Sequence, residues 1–145
     1  MGIRINSRSK TLGLKTGKIK RKLRRVLKDL DFDDKELSIL LTDDDEIARL
    51  NRSYLGRKGP TNVLAFPMMD FHADGFEGNL LGDVVISIDT ALRQSEESGA
   101  SFSLAFDRLV IHGLLHLLGY DHEQSEPEAR RMEEEEERLL TLMGH

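Results

Sequence analysis

Three of the five histidines lie close together, in the stretch His112-Gly-Leu-Leu-His116-Leu-Leu-Gly119-Tyr-Asp-His122. Residues four apart share one face of a helix, so His112 and His116 are expected to point their imidazoles at a common position. Glycine adopts the left-handed conformation that ends a helix, so Gly119 lets the chain turn back and bring His122 to that position. Three neutral imidazoles suit zinc and leave its fourth tetrahedral position open, as in catalytic sites. The spacing therefore predicts one Zn²⁺ held by His112, His116 and His122.

The residues between these histidines are strongly apolar, and a lone histidine in such a helix is usually part of the core. Burying three imidazoles without partners would cost free energy for each ring. A shared cation satisfies all three together, which favours the metal site over the core interpretation.

The same histidine spacing occurs in metzincin proteases, which carry a glutamate directly after the first histidine as general base. Here that position is Gly113, and glycine can neither accept a proton from water nor pass one to a leaving amine. Asp121 and Asp83 are the acids nearest by motif that could replace it. A zinc metalloprotease-like hydrolase is therefore an alternative that the sequence disfavours.

The overall composition fits one compact domain over residues 1–145, since 39% of the residues are hydrophobic. The chain has no cysteine, so a metal site must be built from nitrogen and oxygen ligands. No run approaches the ~20 apolar residues that span a bilayer, and the first residues lack the apolar core of a signal peptide. We expect no membrane association and a cytoplasmic location.

Charge is distributed unevenly along the chain. Residues 1–28 contain eleven Lys or Arg and no acid, although the whole chain has a net charge of −5. Within this part, Ile19, Leu23, Val26, Leu27 and Leu30 recur at helical spacing. The other face of the predicted helix carries Lys18, Lys20, Arg21, Lys22, Arg24, Arg25 and Lys28. Clustered cations are typical of phosphate binding, so Lys22, Arg24 and Arg25 are candidate RNA contacts; a solvated face, a membrane surface or an acidic partner are the alternatives.

Periodicity and turn residues predict an α+β fold, with a mixed sheet of about four strands packed with about five helices. The predicted strands are Gly2–Asn6, Leu37–Thr42, Thr61–Phe66 and Gly82–Ile88. Helices are expected over the basic segment, from Asp43 to about Ser53, from Asp89-Thr90 to Glu97, from Phe102 to Leu118, and after the capping box Ser125-Glu-Pro-Glu128. Met68–Asn79, which contains His72, is expected to be a loop, and Glu133–Glu137 to face solvent.

Three linked motifs carry a resemblance to a known family: the histidine motif, Thr61-Asn-Val-Leu-Ala-Phe-Pro67 and Leu81-Gly-Asp-Val-Val-Ile86. Together they resemble the YbeY family of bacterial zinc-dependent endoribonucleases, which act in rRNA maturation. The resemblance extends from about residue 37 to residue 142 in order and spacing. The basic N-terminal segment carries no family motif.

The resemblance implies a single-strand-specific endoribonuclease that trims the 3′ end of 16S rRNA and takes part in ribosome quality control. It implies one zinc on His112, His116 and His122, and rRNA and the ribosome or its small subunit as partners. Family members usually have an arginine after the tyrosine of the Leu-Asn-x-x-Tyr segment, where this chain has Leu55. Arg57 is the hypothesis for the phosphate contact that this arginine would make.

The proton acceptor is left open by the sequence: hydroxide on the metal, Asp121, Asp83 or the 2′-hydroxyl of RNA would each serve. Asp121 could instead orient a ligand imidazole, and Asp83 could cap a turn. Arg108 lies one turn before His112 on the same face, where it would meet phosphate or pair with a carboxylate. A non-catalytic, zinc-stabilised ribosome-binding factor is the second alternative function.

Overall fold

A four-stranded mixed sheet organises the structure. The computed structural model describes residues 3–7, 14–56, 63–67, 80–120 and 125–145. The strands are β1 (Ile3–Ser7), β2 (Glu36–Thr42), β3 (Val63–Pro67) and β4 (Leu80–Ser87), in the order β1-β2-β4-β3. Strand β2 pairs in parallel with β1 and β4, and β3 pairs antiparallel with β4. The predicted α+β fold with a mixed sheet is confirmed.

Five helices accompany this sheet in the described part of the chain: α1 (Thr16–Asp29), α2 (Asp44–Leu55), α3 (Ile88–Ser98), α4 (Phe102–Leu117) and α5 (Glu126–Leu142). Helix α3 begins earlier than predicted because the Ser87 hydroxyl accepts a hydrogen bond from the Thr90 amide at 3.2 Å. The predicted loop Met68–Asn79 lies outside the described residues. No helix of the described ranges is long and apolar enough to cross a membrane.

Helix α4 lies against β3 and β4, and Gly113 allows the close approach. A Cβ atom at position 113 would lie 2.6 Å from Val84 Cγ1 and 3.0 Å from Val63 Cγ2. Carbon atoms in protein interiors prefer separations of about 3.5–4.0 Å, so any side chain here would push the helix from the sheet. The position that holds a catalytic glutamate in metzincins is therefore a packing position in this chain.

Helix α1 docks through the apolar stripe predicted from its sequence, since Ile19, Leu23, Val26 and Leu27 are buried. Lys22 is a correction to the predicted cationic face. Its side chain is only 9% exposed, and its Nζ lies 2.8 Å from Asp107 Oδ2 in α4. Position 22 falls inside the wide buried stripe, where Asp107 supplies the countercharge that a buried ammonium requires.

Asp44 ties the start of α2 to the end of β4 and the start of α3. Its Oδ1 accepts hydrogen bonds from the hydroxyls of Ser87, at 2.7 Å, and Thr90, at 2.9 Å. Its Oδ2 lies 2.7 Å from Arg93 Nη1. The hydrogen bond from Arg93 is the main reason that the pKa of Asp44 lies below its ordinary value. This network fixes the starts of α2 and α3 at the carboxyl ends of β2 and β4.

Candidate metal centre

His112 and His116 project from successive turns of α4, as their spacing predicts. Their Nε2 atoms lie 3.1 Å apart, and their ring centroids are separated by 4.6 Å. Both residues are half-buried, so the pair is open on one side. The helix thus brings two imidazole nitrogens to one point at the surface of the core.

The other nitrogen of each ring contacts an oxygen atom. His112 Nδ1 lies 3.2 Å from Glu136 Oε2, and His116 Nδ1 lies 3.1 Å from the Tyr120 carbonyl oxygen. Carboxylate and carbonyl oxygens accept hydrogen bonds, so each Nδ1 is assigned as the donor, which leaves Nε2 as the acceptor atom of the neutral ring. Two such lone pairs at this distance repel each other unless a cation or a proton lies between them.

The separation of the two Nε2 atoms fits a shared metal ion. Zinc binds imidazole nitrogen at about 2.0–2.1 Å with tetrahedral angles, which places two nitrogen ligands about 3.3 Å apart. His122, the third predicted ligand, and the candidate base Asp121 lie outside the described residues. Within the described ranges, no group of three or more His, Cys, Asp or Glu side chains gathers that could hold an ion. The described residues therefore supply two ligands of the predicted three.

The turn after α4 sets the position of His116 as well as the end of the helix. Gly119 has φ +96°, the left-handed region predicted for it. The Gly119 amide donates to the His116 carbonyl at 3.0 Å, and the Tyr120 amide donates to the Leu115 carbonyl at 3.0 Å, which together form a Schellman motif. This motif directs the Tyr120 carbonyl back toward the His116 ring.

Glu136 of α5 is a site residue that the sequence prediction missed. The prediction assigns it to a solvent-facing run of glutamates, but its side chain is only 13% exposed. Burial alone would raise the pKa of Glu136, but hydrogen bonds from His112 and Arg108 outweigh burial and hold the pKa below its ordinary value. A signal is present in the sequence, because position 136 lies four residues from both Met132 and Leu140, which are buried on α5.

Arg108 lies one turn before His112, as predicted, and pairs with carboxylates. Its Nη1 is 3.0 Å from Glu136 Oε1 and 2.6 Å from Glu137 Oε2. The guanidinium therefore has two anionic partners beside the histidine pair. A phosphate contact by Arg108 stays a prediction.

The remaining predicted site residues are placed elsewhere or lie outside the described residues. Val84 faces α4, so alternation along β4 puts its neighbour Asp83 on the opposite face of the sheet from His112 and His116. The structure thus does not bring Asp83 to the histidine pair. Arg57 lies outside the described residues.

A basic cavity is formed by α1, the start of α4 and the end of the chain. Its volume is about 370 Å³, and its lining includes Lys18, Arg21, Lys22, Arg25, Ser103 and His145. Arg24 lies on α1 outside this lining. Two of the predicted RNA contacts therefore differ in location, because Arg25 lines the cavity and Arg24 does not.

Comparison with known proteins decides the family. The sequence model of the family described as Endoribonuclease YbeY matches residues 4–144. The chain belongs to this YbeY endoribonuclease family. It is 40% identical to Endoribonuclease YbeY of Syntrophus aciditrophicus, over 100% of this chain and 91% of the relative. It is 44% identical to that of Syntrophotalea carbinolica, over 95% of this chain and 93% of the relative.

A solved structure has a similar fold. The solution structure of TM1509 from Thermotoga maritima matches with a TM-score of 0.69 at 29% sequence identity, covering 97% of this chain and 88% of that one. The family and the endoribonuclease class predicted from the three motifs are confirmed.

Proposed function

We propose that this member of the YbeY endoribonuclease family is a zinc-dependent, single-strand-specific endoribonuclease that matures the 3′ end of 16S rRNA and acts in ribosome quality control. The ribosome or its small subunit is its partner, and the cytoplasm its location. The observation that carries the metal-dependent mechanism is the pair of Nε2 atoms 3.1 Å apart in His112 and His116. Family membership supplies RNA as the substrate class.

His112, His116 and His122 would hold one zinc ion through imidazole nitrogen. When bound, zinc lowers the pKa of coordinated water to about 7 and polarises a phosphoryl oxygen. The chain's own contribution is to present the ligands in the correct tautomer. The Tyr120 carbonyl does this for His116 by accepting its Nδ1 hydrogen.

Proton transfer is assigned to a residue beside the third proposed ligand. Phosphate binding is assigned to a residue that precedes β3 in the sequence. Asp121 precedes His122 and is proposed as proton acceptor or as the group that orients a ligand ring. Arg57 is proposed to contact phosphate in place of the arginine that the family usually has at the position of Leu55. Asp83 is left out of this proposal because alternation along β4 puts it on the face of the sheet away from α4.

Helix α1 is proposed to contact rRNA phosphates through Arg24 and Arg25. Lys22 is excluded from direct contact in this proposal because Asp107 holds its ammonium in the interior. Ser103 and Asp107, which mark the cavity side of α4, lie about 140–180° around the helix from His112 and His116, at about 100° per residue. The α1 surface therefore suits docking to folded rRNA at a distance from the cleavage site.

The test is incubation of metal-quantified protein with single-stranded RNA, duplex RNA and a 16S 3′ precursor. We expect cleavage of single strands only, its loss in His116→Ala or with a chelator, and its return when zinc is added to the chelated wild type. Cleavage that persists in His116→Ala would remove the metal from the mechanism. RNA binding without cleavage by zinc-loaded wild type would support the non-catalytic ribosome-binding factor instead.

A further inference from the structure

The carboxylate of Glu136 lies between an imidazole and a guanidinium at the rim of the histidine pair. We propose that Glu136 is a positioning residue that fixes the tautomer and ring orientation of His112, and that Arg108 holds Glu136 in place. The inference rests on the proposed function in one respect, that His112 binds a metal ion through Nε2.

Each oxygen of Glu136 has a separate partner. Oε2 lies 3.2 Å from His112 Nδ1, and Oε1 lies 3.0 Å from Arg108 Nη1. With one oxygen held by Arg108, the carboxylate cannot rotate away from the imidazole without breaking an ion pair. A hydrogen bond from Nδ1 to a fixed carboxylate keeps the proton on Nδ1 and directs Nε2 toward the neighbouring ring of His116.

Burial distinguishes Glu136 from its neighbour in the acidic run of α5. The Glu136 side chain is 13% exposed, whereas that of Glu137 is 59% exposed. Both contact Arg108, and Glu136 also contacts the His112 ring. Interactions between a charge and an imidazole strengthen where water is excluded, so the buried carboxylate is the one placed to orient the ligand.

The arrangement makes α5 part of the site. His112 is on α4 and Glu136 is on α5, 24 residues later in the chain. Met132, Leu139 and Leu140 are buried on α5. Packing of this helix therefore sets the distance between the carboxylate and the imidazole, and the site depends on a helix that carries no predicted ligand.

The chain offers a matched control in the adjacent glutamate. Glu136→Gln keeps the shape and one acceptor oxygen but removes the charge, and Glu136→Ala removes both. Glu137→Gln removes an equal charge and an Arg108 partner while the Glu136 contact to His112 stays in place. Removal of such an orienting group typically weakens metal binding by about 10- to 100-fold.

The experiment measures zinc affinity by competition with a chromophoric chelator in the full-length protein and these three variants. We expect zinc affinity to fall by about 10- to 100-fold in Glu136→Ala, by less in Glu136→Gln, and not in Glu137→Gln. Nitrogen-15 NMR of the metal-free protein supplies a second readout. Wild type should show the Nδ1–H tautomer of His112, and Glu136→Ala should show a mixture with Nε2–H.

Two outcomes separate failure of this inference from failure of the proposed function. Equal zinc affinity and an unchanged tautomer in Glu136→Ala would overturn the positioning role while leaving zinc binding intact. Wild-type protein that binds no zinc would instead overturn the proposed metal site. Equal losses of affinity in Glu136→Gln and Glu137→Gln would assign the effect to the charge of α5 rather than to His112, and would also overturn the inference.

Discussion

Two histidines of this chain each contact a carboxylate near helix α4, with different results. His112 contacts Glu136 through Nδ1 and directs Nε2 at the Nε2 of His116. His145 contacts Asp107 through Nε2 itself, at 2.7 Å, and the same Asp107 oxygen lies 2.8 Å from Lys22 Nζ. The first arrangement presents a nitrogen to a shared point, whereas the second uses its nitrogen within a closed ion-pair cluster.

The difference shows that a histidine beside a carboxylate is not by itself a metal site. The Asp107 side chain is 1% exposed and contacts both a lysine and a histidine, so its charge is compensated inside the protein. Glu136 instead directs the far nitrogen of His112 toward a second imidazole. Convergence of two ring nitrogens, rather than residue type, distinguishes the two regions.

The largest expected effect separates the two histidines directly. His112→Ala should abolish stoichiometric zinc binding and lower RNA cleavage by at least about 1000-fold, since a catalytic zinc needs its protein ligands. His145→Ala should retain both. Metal analysis and a single-stranded RNA assay on the two variants test this. Loss of zinc in His145→Ala would contradict the claim that, of these two histidines, only His112 binds the metal.

The cluster of Lys22, Asp107 and His145 should affect the stability of the fold rather than zinc binding or RNA cleavage. Asp107→Ala leaves the Lys22 ammonium buried without its carboxylate, and removal of one partner of a buried pair costs about 3–5 kcal/mol. Replacing both, as Lys22→Met with Asp107→Leu, should recover most of the free energy of unfolding. Urea denaturation measures both variants. A double variant no more stable than Asp107→Ala would contradict this account.

The smallest effect concerns the basic cavity beside this cluster. Arg25→Glu should weaken RNA binding and lower the slope of log affinity against log salt by about 0.7–0.9 for each phosphate that the helix no longer neutralises. Arg24→Glu makes the same charge change outside the cavity and should have a smaller effect. Anisotropy titrations at several salt concentrations, with zinc content as control, make the comparison. Unchanged slopes in both variants would identify α1 as a solvated face.

Local patterns in the sequence are sufficient to predict the helices and strands and the convergence of His112 and His116. Helical spacing predicts the shared face of His112 and His116, and the glycine after them predicts the left-handed turn observed at Gly119. These features depend on residues a few positions apart, which periodicity describes. The same is true of the buried stripe on α1.

Contacts between distant segments are not predictable in the same way. The sequence places Lys22 with the exposed cations because its partner Asp107 lies 85 residues away. Glu136 stands in a run of five glutamates, and its inward direction depends on how α5 crosses α4. Asp83 points away from α4 because its neighbour Val84 faces that helix. In each case tertiary packing, rather than local propensity, decides the direction of the side chain.

Gly113 lets α4 pack close to the sheet. The distance between the histidine pair and β4 therefore depends on the absence of a side chain at this position. Because the backbone of α4 rests almost directly on Val84, a carboxylate introduced beside His112 would have to lift the helix, and both imidazoles would move with it. Conversion to peptidase chemistry would thus require rebuilding the interface with β4, not merely exchanging one residue.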